Sequence, residues 1–298
     1  MRFGRGLGGG CRGTERSSLH VDATADALDR LRLAADLASR HDSRLIALYA
    51  REWSEEQRHE RSVAEMGLVS AKQMERLDRR IEASIERAAE RVRSALDKVG
   101  REYDVTTEWR CLAGSASVLV PQHARYADLC IVSHDATAGD DPDHYSFSEK
   151  LLFITGRPVL FIPPVRPLET LGRRIVVAWN SSRAAARAVN DALPLIERAE
   201  WTKVITVNPV DFIGRHGALP AERILEYLER HGASTELVQF DGVPKWSIAD
   251  VIQGRARELG ADLMVAGAFG HPRLWEKLLG GVTRDLLDRM SLPILMSY

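Results

Sequence analysis

The stretch ADLMVAGAFGHPRLWEKLLGGVTRDLLDRMSLPILMSY, residues 261–298, decides how the whole chain is read. It opens with a short apolar run, Leu263–Ala266, that passes directly into Gly267. A run of roughly four to eight apolar residues bounded by turn signals reads as a strand buried on both faces. Val282, Leu286, Leu287 and Met290 then recur at helical spacing, and Ile294–Met296 forms a second apolar run. Strand, helix and strand in that order form a βαβ unit of a parallel sheet. Between the first strand and the helix stand Gly267, Gly270 and Gly280, with Gly281, Val282 and Thr283 following. Glycines at 267 and 270 let the backbone turn sharply or come close to a ligand, because no β-carbon intervenes. Gly280 and Gly281 fall where the last helix begins, and unpaired N–H groups and the helix dipole there favour an anion. Thr283 adds a hydroxyl, and Arg273 and Lys277 add positive charge. On spacing alone two readings stand: a phosphate cradle, or tight turns that need glycine. The segment has no GxxxxGK[ST], so it is not a P-loop, and no GxGxxG follows a first strand.

Upstream, the same alternation continues. Ile175–Trp179, Val204–Val207 and Leu237–Phe240 read as strands. Ala185, Val189, Ala192, Leu193 and Ile196 lie on one helical face, as do Ile224, Leu225 and Leu228, and then Ile248, Val251 and Ile252. The first half of the chain repeats this order. HVDATADALDRLRLAADLA matches AWNSSRAAARAVNDALPLI, ARYADLCIVSH matches RELGADLMVAG, and GRPVLFIPP matches SLPILMSY. Asp22 thereby pairs with Asn180, Asp128 with Asp262, and Pro158 with Pro293. The expected architecture is α/β: two tandem doubly wound domains with parallel sheets, at 17–165 and 172–298, joined through PPVRPLETLG, Pro163 to Gly172. The stripe from Met74 to Val99 makes one long helix, whose apolar face is core. The first strand of half one, Leu19–Val21, is short and polar-flanked, which should weaken that half.

The segment after the fourth strand of half two resembles the universal stress protein family in its tandem two-domain form. The resemblance runs from about His20 to Tyr298 and rests chiefly on ADLMVAGAFGHPRL, LLGGVTRDLL and PILMS. It implies strand order 3-2-1-4-5 in each half, with the halves packed through their last strands as a pseudo-dimer. It further implies ATP or ADP between Ala178, Asn180, Val207 and a loop carrying Gly267, Gly270, Arg273, Gly280, Gly281, Val282 and Thr283. The family's hydroxyl position falls at Gly281, and its acidic residue after strand one at Asn180, whose amide offers both a donor and an acceptor. Half one keeps Asp22 but has Ser133 and Ala136 in place of the first two glycines, so its site is degenerate.

The implied function is a cytoplasmic stress-response protein that senses or regulates through adenine nucleotide. No nucleophile, base and orienter are arranged together, so at most slow ATP hydrolysis is expected, with magnesium only as the nucleotide's companion. The alternative is a nucleotide-free interaction or chaperone-like module. An ATP-dependent ligase would need a glycine-rich loop after strand one, and AWNSSRAAA lacks it. A net charge of −1 gives no argument for nucleic acid, and no apolar run approaches the roughly 20 residues of a membrane span. Cys11, Cys111 and Cys130 lie far apart, as reduced thiols do, and no metal site is expected. Residues 1–16, rich in Gly and Arg, read as a flexible leader. An unidentified protein partner and a homodimer of whole chains complete the expectations.

Lesser candidates carry bland readings beside them. His134, Asp135, Asp140, Asp141, Asp143 and His144 match no ligand spacing and read as an acidic loop. Ser182 reads as a helix cap beside Ser181 and Arg183, His271 as a solvated loop histidine, Cys130 as inert core, and Cys111 as a strand-end thiol open to redox chemistry. Trp246 and Trp275 lie on segments flanking the site and are expected to pack against the sheet or against the other half.

Overall fold

A computed structural model describes residues 16–20, 27–68, 70–134, 147–163, 168–208, 221–269 and 281–298. In the first half β1 (Arg16–His20), β2 (Arg44–Arg51), β3 (Thr107–Ala113), β4 (Leu129–Ser133) and β5 (Val159–Ile162) alternate with helices. These are α1 (Ala27–Arg40), α2 (Glu55–Val63), α3 (Ala71–Glu102), α4 (Ala116–Ala124) and α5 (Phe147–Ile154). The second half holds β6 (Arg174–Ala178), β7 (Trp201–Val207), β8 (Thr235–Phe240), β9 (Leu263–Gly267) and β10 (Ile294–Ser297). Its described helices are α6 (Arg183–Ile196), α7 (Glu222–Arg230), α8 (Ile248–Glu258) and α9 (Gly281–Asp288).

All ten strands form one sheet in the order β3-β2-β1-β4-β5-β10-β9-β6-β7-β8. Each half is therefore wound 3-2-1-4-5, as expected. Every pairing within a half is parallel, and the halves meet at a single antiparallel pair, β5 with β10. The apolar edges Val159–Ile162 and Ile294–Ser297 thus cover one another, which removes two exposed strand edges. At the centre of that pair Leu160 faces Leu295, the equivalent residue of the other half. A pseudo-two-fold axis passes through them.

Because strands alternate their side chains, the sheet has two apolar faces, and each needs helices over it. One face carries Leu160, Ile175, Val177, Val265 and Leu295 beneath α1, α3, α6 and α7. The other carries Phe161, Val176, Ile205, Met264 and Met296 beneath α4, α5, α8 and α9. Both cores run unbroken from one half into the other.

One expectation changes, and two contacts tie the joining segment and β6 down. The first strand is Arg16–His20, beginning earlier than Leu19, and it pairs along its whole length with β2 and over Ser17–Leu19 with β4; Val21 lies outside the described residues. The joining segment is anchored at its end: Leu171 is fully buried, and its carbonyl accepts from the Arg40 guanidinium. Asp262, the repeated aspartate, is also buried. Its carboxylate accepts from the amides of Arg173 (3.0 Å) and Arg174 (2.9 Å) and from the Thr170 hydroxyl (2.6 Å), which ties down the start of β6.

Candidate functional site

In the second half β6 lies between β7 and β9, at the point where the winding reverses. The chain leaves β6 toward α6 on one face, and leaves β9 toward α9 on the other. The flanking helices lie on opposite faces here, and in such sheets a crevice at the carboxyl ends of the strands is the usual ligand position. Register sets its floor: Ala178 is level with Ala266 and with Ile205, and Val207 lies two residues farther along β7.

One wall is a tight turn. Asn180 accepts the Ser182 amide at its side-chain oxygen (3.1 Å), Ser181 takes the left-handed conformation (φ 58°), and Ser182 accepts the Ala185 amide at its hydroxyl (3.1 Å). Ser182 is thus the N-cap of α6, as its position suggested. The Asn180 oxygen thus already accepts one bond within this turn, which leaves its second lone pair and its amide donor for other partners. A second wall follows β7. Val207 is buried, and the next residue, Asn208 (φ 50°), clamps the loop after β8. Its side-chain amide donates to the Val243 carbonyl (2.6 Å), and its oxygen accepts the Val243 amide (2.9 Å). Sequence reading passed over Asn208; an asparagine directly after a strand, suited to the left-handed region, was the available signal.

The glycines divide by role. A β-carbon at Gly267 would lie 2.3 Å from the Ala185 nitrogen and 2.5 Å from the Ala184 carbonyl carbon. Glycine at 267 is therefore required by the close approach of α6 to the end of β9, rather than by a ligand. Gly281 is the reverse case. It is exposed, and the nearest atom to an added β-carbon is an Asp285 carboxylate oxygen 3.9 Å away. Among the described residues, space stands open at the first residue of α9. Val282 is half-buried beside it. Thr283 is buried, and its hydroxyl accepts the Phe269 amide (3.1 Å), which draws the two flanks of segment 270–280 together. The expected contact of Thr283 with a phosphate therefore competes with this internal bond. Gly270, Arg273, Gly280, Lys277, His271 and Trp275 lie outside the described residues.

The neighbouring charges belong to the seam between halves. Glu149 on α5 is buried and accepts from the Arg284 guanidinium on α9 (3.3 Å). Burial pushes the Asp288 carboxyl up, Arg284 opposes that shift, and Glu149 adds to it. In half one His134 is buried with its Nδ1 3.0 Å from the Ser148 hydroxyl; Asp135, Asp140, Asp141, Asp143 and His144 lie outside the described residues, as does Asp22. No cluster of metal-ligating side chains occurs among the described residues. Two other readings change. Trp246 is 74% exposed instead of packed. Cys111 sits within β3, and burial raises its thiol pKa, which disfavours the reactive thiolate. Cys130 is buried in β4, as expected. No described helix is long and apolar enough to cross a membrane.

No protein-family model matches the sequence, and no curated protein matches it. Solved structures do. A universal stress protein from Archaeoglobus fulgidus DSM 4304 superposes with a TM-score of 0.65 at 16% identity, over 95% of this chain and 95% of that one. A protein of unknown function from Pseudomonas aeruginosa PAO1 gives 0.56 at 17% identity, over 96% of this chain and 92% of that one. At such identities the likeness concerns architecture. It spans both halves, which a single-domain relative could not do.

Proposed function

We propose, from the premise that this chain has the tandem fold of the universal stress proteins, that its C-terminal half binds ATP or ADP and that the bound state regulates a protein partner. The observation that supports this reading is the reversal of winding between β6 and β9, with room at Gly281, the first residue of α9, among the described residues. The Asn180 amide and Ala178 on one side, and Val207 on the other, suit a purine with a flat apolar face and an acceptor edge. Main-chain amides at the start of α9 suit its phosphates. Gly267 acts one step back, by letting α6 close the wall. Gly270, Arg273, Gly280, Val282 and Thr283 complete the proposed loop. The N-terminal half, lacking the glycines, has a structural part, and the halves are taken as 17–165 and 172–298. The setting is cytoplasmic, with magnesium accompanying the nucleotide, no nucleic-acid or membrane partner, pairing of whole chains, and no efficient catalysis.

Isothermal titration of the full chain with Mg-ATP tests this reading. Binding is expected, with Gly270→Val removing it by crowding the loop. Gly281→Ser restores the missing hydroxyl in a position with room for it. One added bond to a charged oxygen, worth about 1.5–3 kcal/mol, should tighten binding roughly 10- to 150-fold. Absence of heat and of any thermal shift at millimolar ATP, in both the wild type and Gly281→Ser, overturns the proposal. The competing interaction module without nucleotide draws on Gly267, whose missing β-carbon is fully used by the contact with α6. It would prevail on that result.

A further inference from the structure

Both flanks of segment 270–280 rest on the other half of the protein. Phe269, the residue before the segment, stacks on Phe153 of α5 with ring centroids 4.5 Å apart and planes 24° from parallel. Tyr298 closes the cluster edge-on, 5.1 Å from Phe153 and 6.3 Å from Phe269. On the far side, Arg284 of α9 reaches Glu149 of α5 at 3.3 Å. The Glu149 side chain is only 4% exposed, so this pair is held away from water. The bond from the Phe269 amide to the Thr283 hydroxyl joins the two flanks, so α5 grips them as one unit.

The pseudo-two-fold axis gives this grip a further meaning. The same offset that relates Leu160 to Leu295 relates Ser148 to Thr283 and Glu149 to Arg284. Ser148 and Thr283 hold equivalent places, each bonded to a residue just beyond its own fourth strand, His134 and Phe269. Glu149 and Arg284 are also equivalent, yet opposite in charge. Two copies of either half would set like charges against one another across the axis, whereas unlike halves set a pair.

We propose that the N-terminal half is a positioning element for the C-terminal half: Glu149 and Phe153 of α5 hold Phe269 and the start of α9, and so set the affinity of the C-terminal half for nucleotide. The affinity part rests on the proposed nucleotide reading; the holding part does not. A half without a glycine cradle of its own thereby has a definite task.

The test uses the full chain. Hydrogen exchange is followed at 267–269 and 281–285, with Leu263–Ala266 of β9 as an internal standard. Glu149→Arg sets two arginines together, and exchange at both flanks should rise while the β9 standard keeps its protection. Adding Arg284→Glu restores an opposite pair with the signs exchanged, and flank protection should return. Glu149→Gln and Phe153→Leu are milder and serve if Glu149→Arg does not fold. Each should weaken Mg-ATP by about 2- to 30-fold, the range usual for residues that couple sites without touching ligand. Flank exchange unchanged in all three single variants overturns the proposal. If exchange rises and wild-type protein binds no ATP, the nucleotide reading fails and the positioning role stands. If exchange rises and ATP affinity does not move, the claim that α5 sets affinity is overturned.

Discussion

Gly267 and Gly281 belong to one sequence pattern and answer to different forces. At Gly267 the α6 backbone occupies the place of a side chain, so Gly267→Ala should cost about 1–3 kcal/mol or more through forced displacement of α6. Chemical denaturation reads that loss directly, and a variant as stable as wild type would refute the close approach. His41 offers a second test at this scale. It is partly buried in the turn after α1, and its Nε2 has no hydrogen-bond partner among the described residues. Burial and then the nearby Arg198 and Arg40 guanidinium groups, against Asp42 and Asp36, lower its pKa from 6.5 to about 4. The unfolded chain therefore takes up this proton first as pH falls. The stability that His41 contributes is complete above about pH 6.5 and is lost between there and about pH 4. Melting temperature should fall over that window, and His41→Gln should flatten that part of the fall.

At the scale of elements, two strands depend on contacts made far away in sequence. The start of β6 is held by Asp262, which precedes β9 and takes two main-chain amides and a hydroxyl. Asp262→Ala would strand those buried donors, at about 1–3 kcal/mol for each left unpaired, and should lower the denaturation midpoint without changing its slope. β1 is the other case. Its Ser-rich sequence reads as weak, yet it pairs with β2 over Arg16–His20 and with β4 over Ser17–Leu19. Main-chain hydrogen bonds do not ask for apolar side chains, and a central position supplies them from both neighbours. The turn Asn180–Ser182 shows the same economy: two short polar side chains cap α6 and shape one wall of the candidate site together.

At the scale of the molecule, the antiparallel pair β5–β10 makes one sheet and two shared cores out of two repeats. Leu160 and Leu295 sit at its centre, both essentially unexposed. Unfolding one half would bare the edge strand and both apolar faces of the other, so the halves should melt together. Calorimetry should give one transition with equal calorimetric and van't Hoff enthalpies, and Leu160→Ala should move it as a whole, at about 2–5 kcal/mol. Two separate transitions in the wild type would contradict a shared core.

Period and order were enough to read the repeat, the parallel winding and most element positions, because those follow from apolar spacing along a single segment. Burying both faces of a strand leaves the run Leu263–Ala266, and burying one face of a helix leaves the stripe from Ile81 to Val99. The tertiary structure alone decided what Gly267 is for, which amides the Asn180 oxygen and the Thr283 hydroxyl accept, and that α5 of one half grips the flanks of the other half's glycine segment. Each of these is a contact between residues distant in the chain. A one-dimensional pattern records which face of an element is apolar, but not which neighbour packing brings against it.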